Sequence, residues 1–560
     1  MAVSRLVSRP SDPDLAVFVS GVVSMGLEIL AGRIVAPQFG SSIYTWGSII
    51  TVFLAALSLG YWRGGKRAGE ASTRRLIWIL LATAAYVGIV VYGSDQLLLS
   101  TAQLPLPAQY ASVPAVVALF GPPTYLLGFV SPYAAELSVK EGTGEASGHV
   151  YALGTIGSIV GAGATTYLLV PALGIDAIGL FFGLLCIGTA VVLALAPTDL
   201  ESLGASFAVA VLLVLAVSAG SVGLDHRGDV VYQTQTPHQE LEIVDDGDVR
   251  TMYLDGARHS AMDLDDPDRH VFEYTRYFHL PMLYVDDPAE VENVLFIGGG
   301  GYTGPKDFVR KYDVTVDVVE LDPEVTRAAK EYFAVEESEN LTIHTGDGRR
   351  FLRETDTTYD VIVLDAYQKT QVPLHMTQLG FMELVADRLS EDGVFLANVI
   401  AAPSGSGSEF YRAQYETIDA AFATTDSFRT SPYDAVQNIE VVATKREMTI
   451  TEPELRARNE ARDLGIDLRS AVDSMLRPPE TDDVPILTAD HAPVDSLQAA
   501  TVDQEYVIEE TDDEGSNPPR PATGIGPAAS TGPGSGQIDA IRPAPSFRIE
   551  PSRSGPHLVP

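Results

Sequence analysis

From residue 14 to about 223 the chain is a succession of apolar stretches, at roughly 14–36, 42–62, 76–96, 112–138, 150–172, 174–196 and 204–223. Each is close to the ~20 residues that a membrane-crossing helix needs to cover the hydrocarbon layer. The pattern predicts a multi-span α-helical membrane bundle over 14–224, with about seven spans, behind an N-terminal tail of residues 1–13. The first stretch is too long, and too many follow it, for a cleaved leader. Small residues crowd the fifth, in Gly154-Thr155-Ile156-Gly157-Ser158-Ile159-Val160-Gly161, a spacing that lets helix backbones approach closely in lipid. Pro122-Pro123 predicts a bend in the fourth. From Asp225 the pattern changes to short apolar runs alternating with amphipathic ones, strands and helices in turn, as far as about residue 500. Residues 501–560 are rich in Pro, Gly, Ser and Asp and are expected to be a disordered tail.

Charge sharpens this division. Seventy-four acidic residues stand against 37 basic ones, a net charge of −37, yet the mean hydropathy is +0.12. Both hold because apolar and acidic residues occupy different halves of the chain. So acidic a chain lacks the basic face that a nucleic-acid partner requires. The basic complement is mostly arginine, with lysine only at Lys66, Lys140, Lys306, Lys311, Lys330, Lys369 and Lys445. Few lysines and a strongly acidic soluble half suggest a salt-loving, haloarchaeal source, where concentrated salt screens self-repulsion. The single cysteine, Cys186, excludes an intramolecular disulfide or a zinc-cysteine cluster. Arg63, Lys66, Arg67, Arg74 and Arg75 mark the loop after the second span as cytoplasmic, and Arg5 and Arg9 agree. Seven spans would then leave the soluble domain outside, unless one stretch, with the bent fourth as the suspect, does not cross. Glu28 and Arg33 interrupt the first span as candidate functional charges, and Glu136 with Lys140 reads as an i,i+4 pair.

The soluble half carries the chemistry. Val294-Leu295-Phe296-Ile297 reads as a buried strand running into Gly298-Gly299-Gly300-Gly301 and a helix from about Pro305. That is the nucleotide-cradling first unit of a doubly wound sheet. A second strand ends in Glu320, about twenty residues on, where an acid accepts ribose hydroxyls. A third ends in Gly346-Asp347-Gly348-Arg349 and a fourth in Asp365. Three acids at the carboxyl ends of parallel strands, beside one glycine loop, converge on one crevice.

The run from Val291 to Ile400 resembles the spermidine synthases, aminopropyltransferases with a class I methyltransferase-type Rossmann fold. The matching pieces are the glycine loop, Val319-Glu320-Leu321-Asp322-Pro323, Gly346-Asp347-Gly348-Arg349-Arg350-Phe351-Leu352 and Asp360-Val361-Ile362-Val363-Leu364-Asp365. Pro237-His238-Gln239 and Tyr253-Leu254-Asp255-Gly256 look like the family's preceding β-domain. Leu487-Thr488-Ala489-Asp490-His491 looks like the closing segment of its membrane-fused relatives, as do Glu28-Ile29-Leu30-Ala31-Gly32-Arg33 and Tyr151-Ala152-Leu153-Gly154 in the helical half. The resemblance implies a small β-domain over 225–289 and an α/β Rossmann-like domain over 290–500. It implies an S-adenosyl sulfonium co-substrate, decarboxylated S-adenosylmethionine or S-adenosylmethionine itself, held by Gly298, Gly299, Gly300, Glu320, Asp347 and Gly348, with no metal. Gln239, Asp255, His259 and Tyr367 would line the substrate pocket, and Asp365 would deprotonate the attacking amine.

There are departures. Where the family's loop continues into an acid that pairs with the aminopropyl ammonium, this chain has Gly301-Tyr302. Where a second acid follows the catalytic aspartate to grip a diamine, it has Ala366-Tyr367-Gln368-Lys369, and His259 replaces a usual glutamine. The implied function is aminopropyl transfer to an amine. The alternatives are methyl transfer to a membrane-associated acceptor, or a transporter with a nucleoside-sensing, non-catalytic domain. The expected partners are a small-molecule amine or membrane-associated acceptor, the lipid bilayer and a second copy in a homodimer, with no nucleic acid. The expected location is the cell membrane, with the catalytic domain in the cytoplasm where the donor is made.

Overall fold

The computed structural model describes residues 12–104, 106–137, 143–195, 199–220, 228–367, 372–501 and 504–511. Its N-terminal half is a helical bundle that opens with α1 (Asp12–Phe39), α2 (Ile43–Lys66) and α3 (Thr73–Ala102). Ser42 and Ser72 cap α2 and α3, their hydroxyls accepting from the Thr45 and Arg75 N–H groups. Among the described residues six helices are long and apolar enough to cross a membrane, ending with Ile175–Leu195. The expected seventh, the Leu200–Gly220 helix, has a shorter apolar run, Leu200–Ala216, although it packs along α3 and Ile175–Leu195. In the fourth, Pro122-Pro123 do not interrupt the helix. One helix, Val113–Leu127, runs through both prolines, and the breaks fall at Ser112 and at Gly128-Phe129 within a 29-residue stretch, Gln109–Leu137.

The small residues of the fifth stretch do what their spacing predicts. A Cβ on Gly157 would stand 2.2 Å from the Phe18 carbonyl oxygen, and one on Gly161 2.3 Å from that of Val22. Only glycine lets α1 and the Thr143–Ala164 helix come this close. The two loops flanking α2 differ sharply. The α2–α3 end carries Arg63, Lys66, Arg67, Arg74 and Arg75, whereas the α1–α2 turn, about 36 Å away at 1.5 Å per residue, carries no basic residue. It is the uncharged turn that meets the soluble half: the Ile43 N–H donates to Asp495 Oδ2 at 3.1 Å.

The soluble half begins with an antiparallel four-stranded meander, β1 (Asp229–Gln235), β2 (Glu240–Asp246), β3 (Val249–Leu254) and β4 (Ala257–Asp263). A seven-stranded sheet follows, formed by β5 (Asn293–Ile297), β6 (Thr315–Glu320), β7 (Leu341–Thr345), β8 (Tyr359–Leu364), β9 (Leu389–Ala401), β10 (Thr424–Arg429) and β11 (Gln437–Thr444). Its order is β10-β11-β9-β8-β5-β6-β7, with β5 to β9 parallel and β11 antiparallel to both of its neighbours, β9 and β10. This is the class I methyltransferase-type arrangement. The chain turns back on its own order between β5 and β8, and the carboxyl ends of those strands open the crevice in which such sheets bind ligands.

Part of the stretch expected to be a disordered tail is described, and residues 512–560 of it lie outside the described residues. Residues 504–511 pack on the domain: the Val507 N–H donates to the Val436 carbonyl, and Ser431 donates to Glu509. Tyr506-Val507-Ile508 form a short apolar run between Glu505 and Glu509, and Ile508 is buried. Lys369 and Gln368 lie outside the described residues, as do Lys140, Asp225, Arg5 and Arg9.

Candidate active site

At the end of β5 the backbone of Gly298, at φ +99°, passes so close to β8 that a Cβ would stand 2.1 Å from the Asp365 carbonyl oxygen. Only glycine allows this turn. The next residues fold over the end of β6, where buried Glu320 accepts the Gly299 N–H at 2.8 Å and the Asp322 N–H at 2.9 Å. Each carboxylate oxygen keeps a second lone pair for a ligand hydroxyl. Burial pushes the Glu320 carboxyl up from its usual range, and these two N–H groups partly offset it. Beyond β7, Asp347 caps the Gly348–Glu354 helix by accepting the Arg350 N–H at 2.8 Å. Its other oxygen lies 2.7 Å from His375 Nε2.

Glu320, Asp347 and Asp365 line one cavity of about 550 Å³, with Gly298 and Gly348 in its floor and His238 and Gln239 on the side of the β-meander. His259 lines it too, kept neutral by burial against the opposing pull of Glu320. Two expected pocket residues are placed differently. Asp255 turns its carboxylate back to accept the Glu240 N–H at 2.8 Å, so it holds the β2–β3 hairpin together. Tyr367 is buried in the core against Phe410 and donates to the Met376 carbonyl at 2.9 Å. Neither is among the described residues that line the cavity.

Asp365 stands at the inner end. Burial pushes its carboxyl up to about 6, opposed by Asn398, whose Nδ2 donates to Oδ1 at 2.8 Å. The chain of donors continues outward: Asn438 Nδ2 donates to Asn398 Oδ1 at 2.9 Å, and the Tyr506 hydroxyl to Asn438 Oδ1 at 2.8 Å. These residues hold the aspartate's orientation from three separate segments.

Sequence reasoning missed Glu440. It lies on β11 in register with Asn398, it is fully buried, and neither carboxyl oxygen has a hydrogen-bond partner. Burial first, and the nearby Asp365 charge second, hold it well above the usual carboxylate range. A buried carboxyl without a partner costs stability, and Glu440 is not among the described residues that line the cavity. On the other flank of the glycine loop, a cavity of about 20 Å³ lies among Tyr274, Phe278, Tyr302 and Asp365. There the Gly301 N–H donates to Ser260 Oγ at 2.9 Å.

Residues 272–402 match the spermine/spermidine synthase domain. A polyamine aminopropyltransferase of Vibrio vulnificus is 28% identical over 227 residues, 39% of this chain and 72% of that protein. Polyamine aminopropyltransferase 2 of Aquifex aeolicus is 22% identical over 421 residues, 71% of this chain and 80% of its own. A match of that extent exceeds everything after residue 228 and so reaches into the helical half. The crystal structure of spermidine synthase from Thermotoga maritima superposes with a TM-score of 0.37 at 23% identity, covering 45% of this chain and 85% of that one. With this synthase domain and these relatives, the chain is a transferase.

A second buried cluster lies inside the synthase domain but off the cavity. Asp307 Oδ2 stands 2.9 Å from His270 Nε2 and 3.0 Å from His279 Nε2. Burial would raise the Asp307 carboxyl, but the two imidazoles outweigh it and hold the group well below the usual range. Burial in turn lowers His279 to about 4. Arg310 and Lys311 also reach Asp307, so its charge is already balanced by side chains. The cluster ties the helix after the glycine loop to the segment that follows the meander.

Proposed function

We propose that the chain is a membrane-embedded aminopropyltransferase that takes its aminopropyl group from decarboxylated S-adenosylmethionine and passes it to an amine. The observation that carries this reading is Asp365, a carboxyl that burial pushes up to about 6 and that lines one cavity with a nucleoside cradle made by Gly298, Glu320 and Asp347. In this reading Glu320 holds the ribose, Asp347 the adenine amino group, and Gln239 and His259 the meander side of the donor. The amine lone pair attacks the propyl carbon bound to sulfur. The C–S bonding pair returns to sulfur, which leaves as a neutral thioether, and the nitrogen's surplus proton passes to Asp365. A sulfonium is already a good leaving group, so the protein's contribution is alignment and a base.

Calorimetry on the full chain in detergent tests the donor site. The decarboxylated donor should bind at least about tenfold more tightly than intact S-adenosylmethionine, whose carboxylate would meet the charge of Asp365. Glu320→Ala and Asp347→Ala should each weaken binding by about 1–3 kcal/mol, as for lost hydrogen bonds to a charged group. Equal affinity for the two donors favours methyl transfer instead, and unchanged affinity in both variants removes this nucleoside site.

We further propose that the synthase domain faces away from the cytoplasm, opposite to the placement expected from where the donor is made. Basic loops stay on the cytoplasmic side, and the five basic residues flanking the α2–α3 loop lie at the far end of α2 from the turn that touches the domain. Since Cys186 is buried, added cysteines report cleanly. Glu391→Cys, at a side chain 95% exposed, should react with an impermeant maleimide in intact cells, and Gly69→Cys only after lysis. The reverse pattern places the domain in the cytoplasm.

A further inference from the structure

Three residues of the helical bundle, Ser41, Ile43 and Tyr44, line the same cavity as Glu320, Asp347 and Asp365. They belong to the α1–α2 turn, and two polar contacts fix it against the synthase half. One is the Ile43 N–H to Asp495 Oδ2, at 3.1 Å, and Asp495 is itself a lining residue. The other starts from Arg33, the charge that interrupts α1. Its guanidinium donates to the Thr236 carbonyl at 2.6 Å and to Gln235 Oε1 at 3.3 Å. Thr236 in turn accepts the His238 and Gln239 N–H groups through Oγ1, each at 3.0 Å. The bundle therefore both walls the cavity and anchors the turn that presents His238 and Gln239 to it. A synthase domain without the bundle would leave this side open to water.

The wall is apolar where it is most accessible. Ile43 is 72% exposed and Tyr44 38%, and Leu374 across the lining is 47% exposed. The carboxyl that suits an ammonium, Asp365, is a buried member of the same lining. An acceptor with its nitrogen at Asp365 meets Ile43 and Tyr44 at the end of a membrane-type helix, on a wall that Ser41 and Asp495 share.

On the proposed aminopropyl transfer, we propose that the α1–α2 turn is the specificity-determining wall of the acceptor site, and that it selects a primary amine carried on an aliphatic stem. The stem lies against Ile43 and Tyr44 while the amine faces Asp365.

The test uses the full chain in nanodiscs with decarboxylated S-adenosylmethionine, and compares 1,4-diaminobutane, butylamine and octylamine as acceptors. The wild type should prefer octylamine to butylamine by about tenfold in kcat/KM, the scale of a few buried methylenes. Ile43→Ser and Tyr44→Ala should each remove most of that preference by raising the KM for octylamine. The affinity for 5′-methylthioadenosine, measured by calorimetry, should stay unchanged, and Ile50→Ala, on the outward face of α2, should behave as wild type. A wild type that turns over 1,4-diaminobutane and shows no preference for the longer stem overturns the inference and leaves the transferase reading standing. Wild-type preference retained in both variants overturns it equally. Failure to turn over any of the three amines counts against both.

Discussion

Asp365→Asn is expected to lower turnover by about 10²–10⁴-fold, the usual contribution of a positioned general base, with donor affinity unchanged. Asparagine keeps the size of the side chain and can still pair with Asn398, so the loss reports the proton acceptor itself. The pH dependence carries a second signature. Burial holds the Asp365 carboxyl up near about 6, and only its ionised form accepts a proton. Wild-type kcat/KM should therefore rise as pH increases through about 6 and then level off, and the Asn variant should lack that limb. If Asp365 serves only to brace Asn398 and the end of β8, Asn replaces it with little loss. Near wild-type turnover in the variant would then remove the catalytic assignment while leaving the nucleoside cradle intact.

Glu440→Gln should weaken function and strengthen the fold at once. Removal of a carboxyl whose charge reaches Asp365 should raise the acceptor KM severalfold without changing donor affinity. Stability should move the other way. A buried carboxyl whose folded pKa lies above its unfolded value of about 4.3 destabilises the fold as pH rises past that unfolded value, because the folded state resists ionisation. The variant should melt higher than wild type at pH 7 to 8, and the gain should vanish below about pH 4. A purely structural Glu440 predicts unchanged acceptor kinetics, which a KM series in 1,4-diaminobutane decides.

These two residues also mark how far the sequence could be read. Asp365 was legible because the apolar strand Val361-Ile362-Val363-Leu364 announces itself and ends at the acid. Glu320, Asp347 and the glycine loop were legible for the same reason: strand ends in a parallel sheet converge on one edge. Glu440 sits inside Gln437–Thr444, a strand buried throughout, where a lone acid carries no motif. Only the sheet order, which inserts β11 between β9 and β10, brings it beside a residue 75 positions earlier. Tyr506 was hidden by composition, since its segment opens a stretch dominated by acids, glycine and proline. The wall at Ser41–Tyr44 was hidden by domain division, because a turn between apolar helices reads as part of the bundle. Asp255 and Tyr367 were misplaced for the opposite reason. Their motif neighbours face the cavity, while the left-handed backbone of Asp255, at φ +48°, and the core contacts of Tyr367 turn both side chains elsewhere.

The charge asymmetry of the bundle was legible from residue identities alone, but its meaning was not. Parity left the soluble domain's side open, and the suspect fourth stretch proves to be a 29-residue apolar segment interrupted at Ser112 and again at Gly128-Phe129. The relation between the basic loop and the domain depends on which end of α2 the domain touches, a fact of tertiary contact.

The central claim, aminopropyl transfer from a sulfonium nucleoside to an amine, is tested most directly by following both products in one reaction. The purified full chain is incubated with decarboxylated S-adenosylmethionine and 1,4-diaminobutane at pH 7.5, and products are resolved by mass spectrometry. Aminopropyl transfer predicts 5′-methylthioadenosine and an aminopropylated amine in equal amounts, both lost in Asp365→Asn. Release of S-adenosylhomocysteine from intact S-adenosylmethionine, with a methylated acceptor and no 5′-methylthioadenosine from the decarboxylated donor, would contradict it.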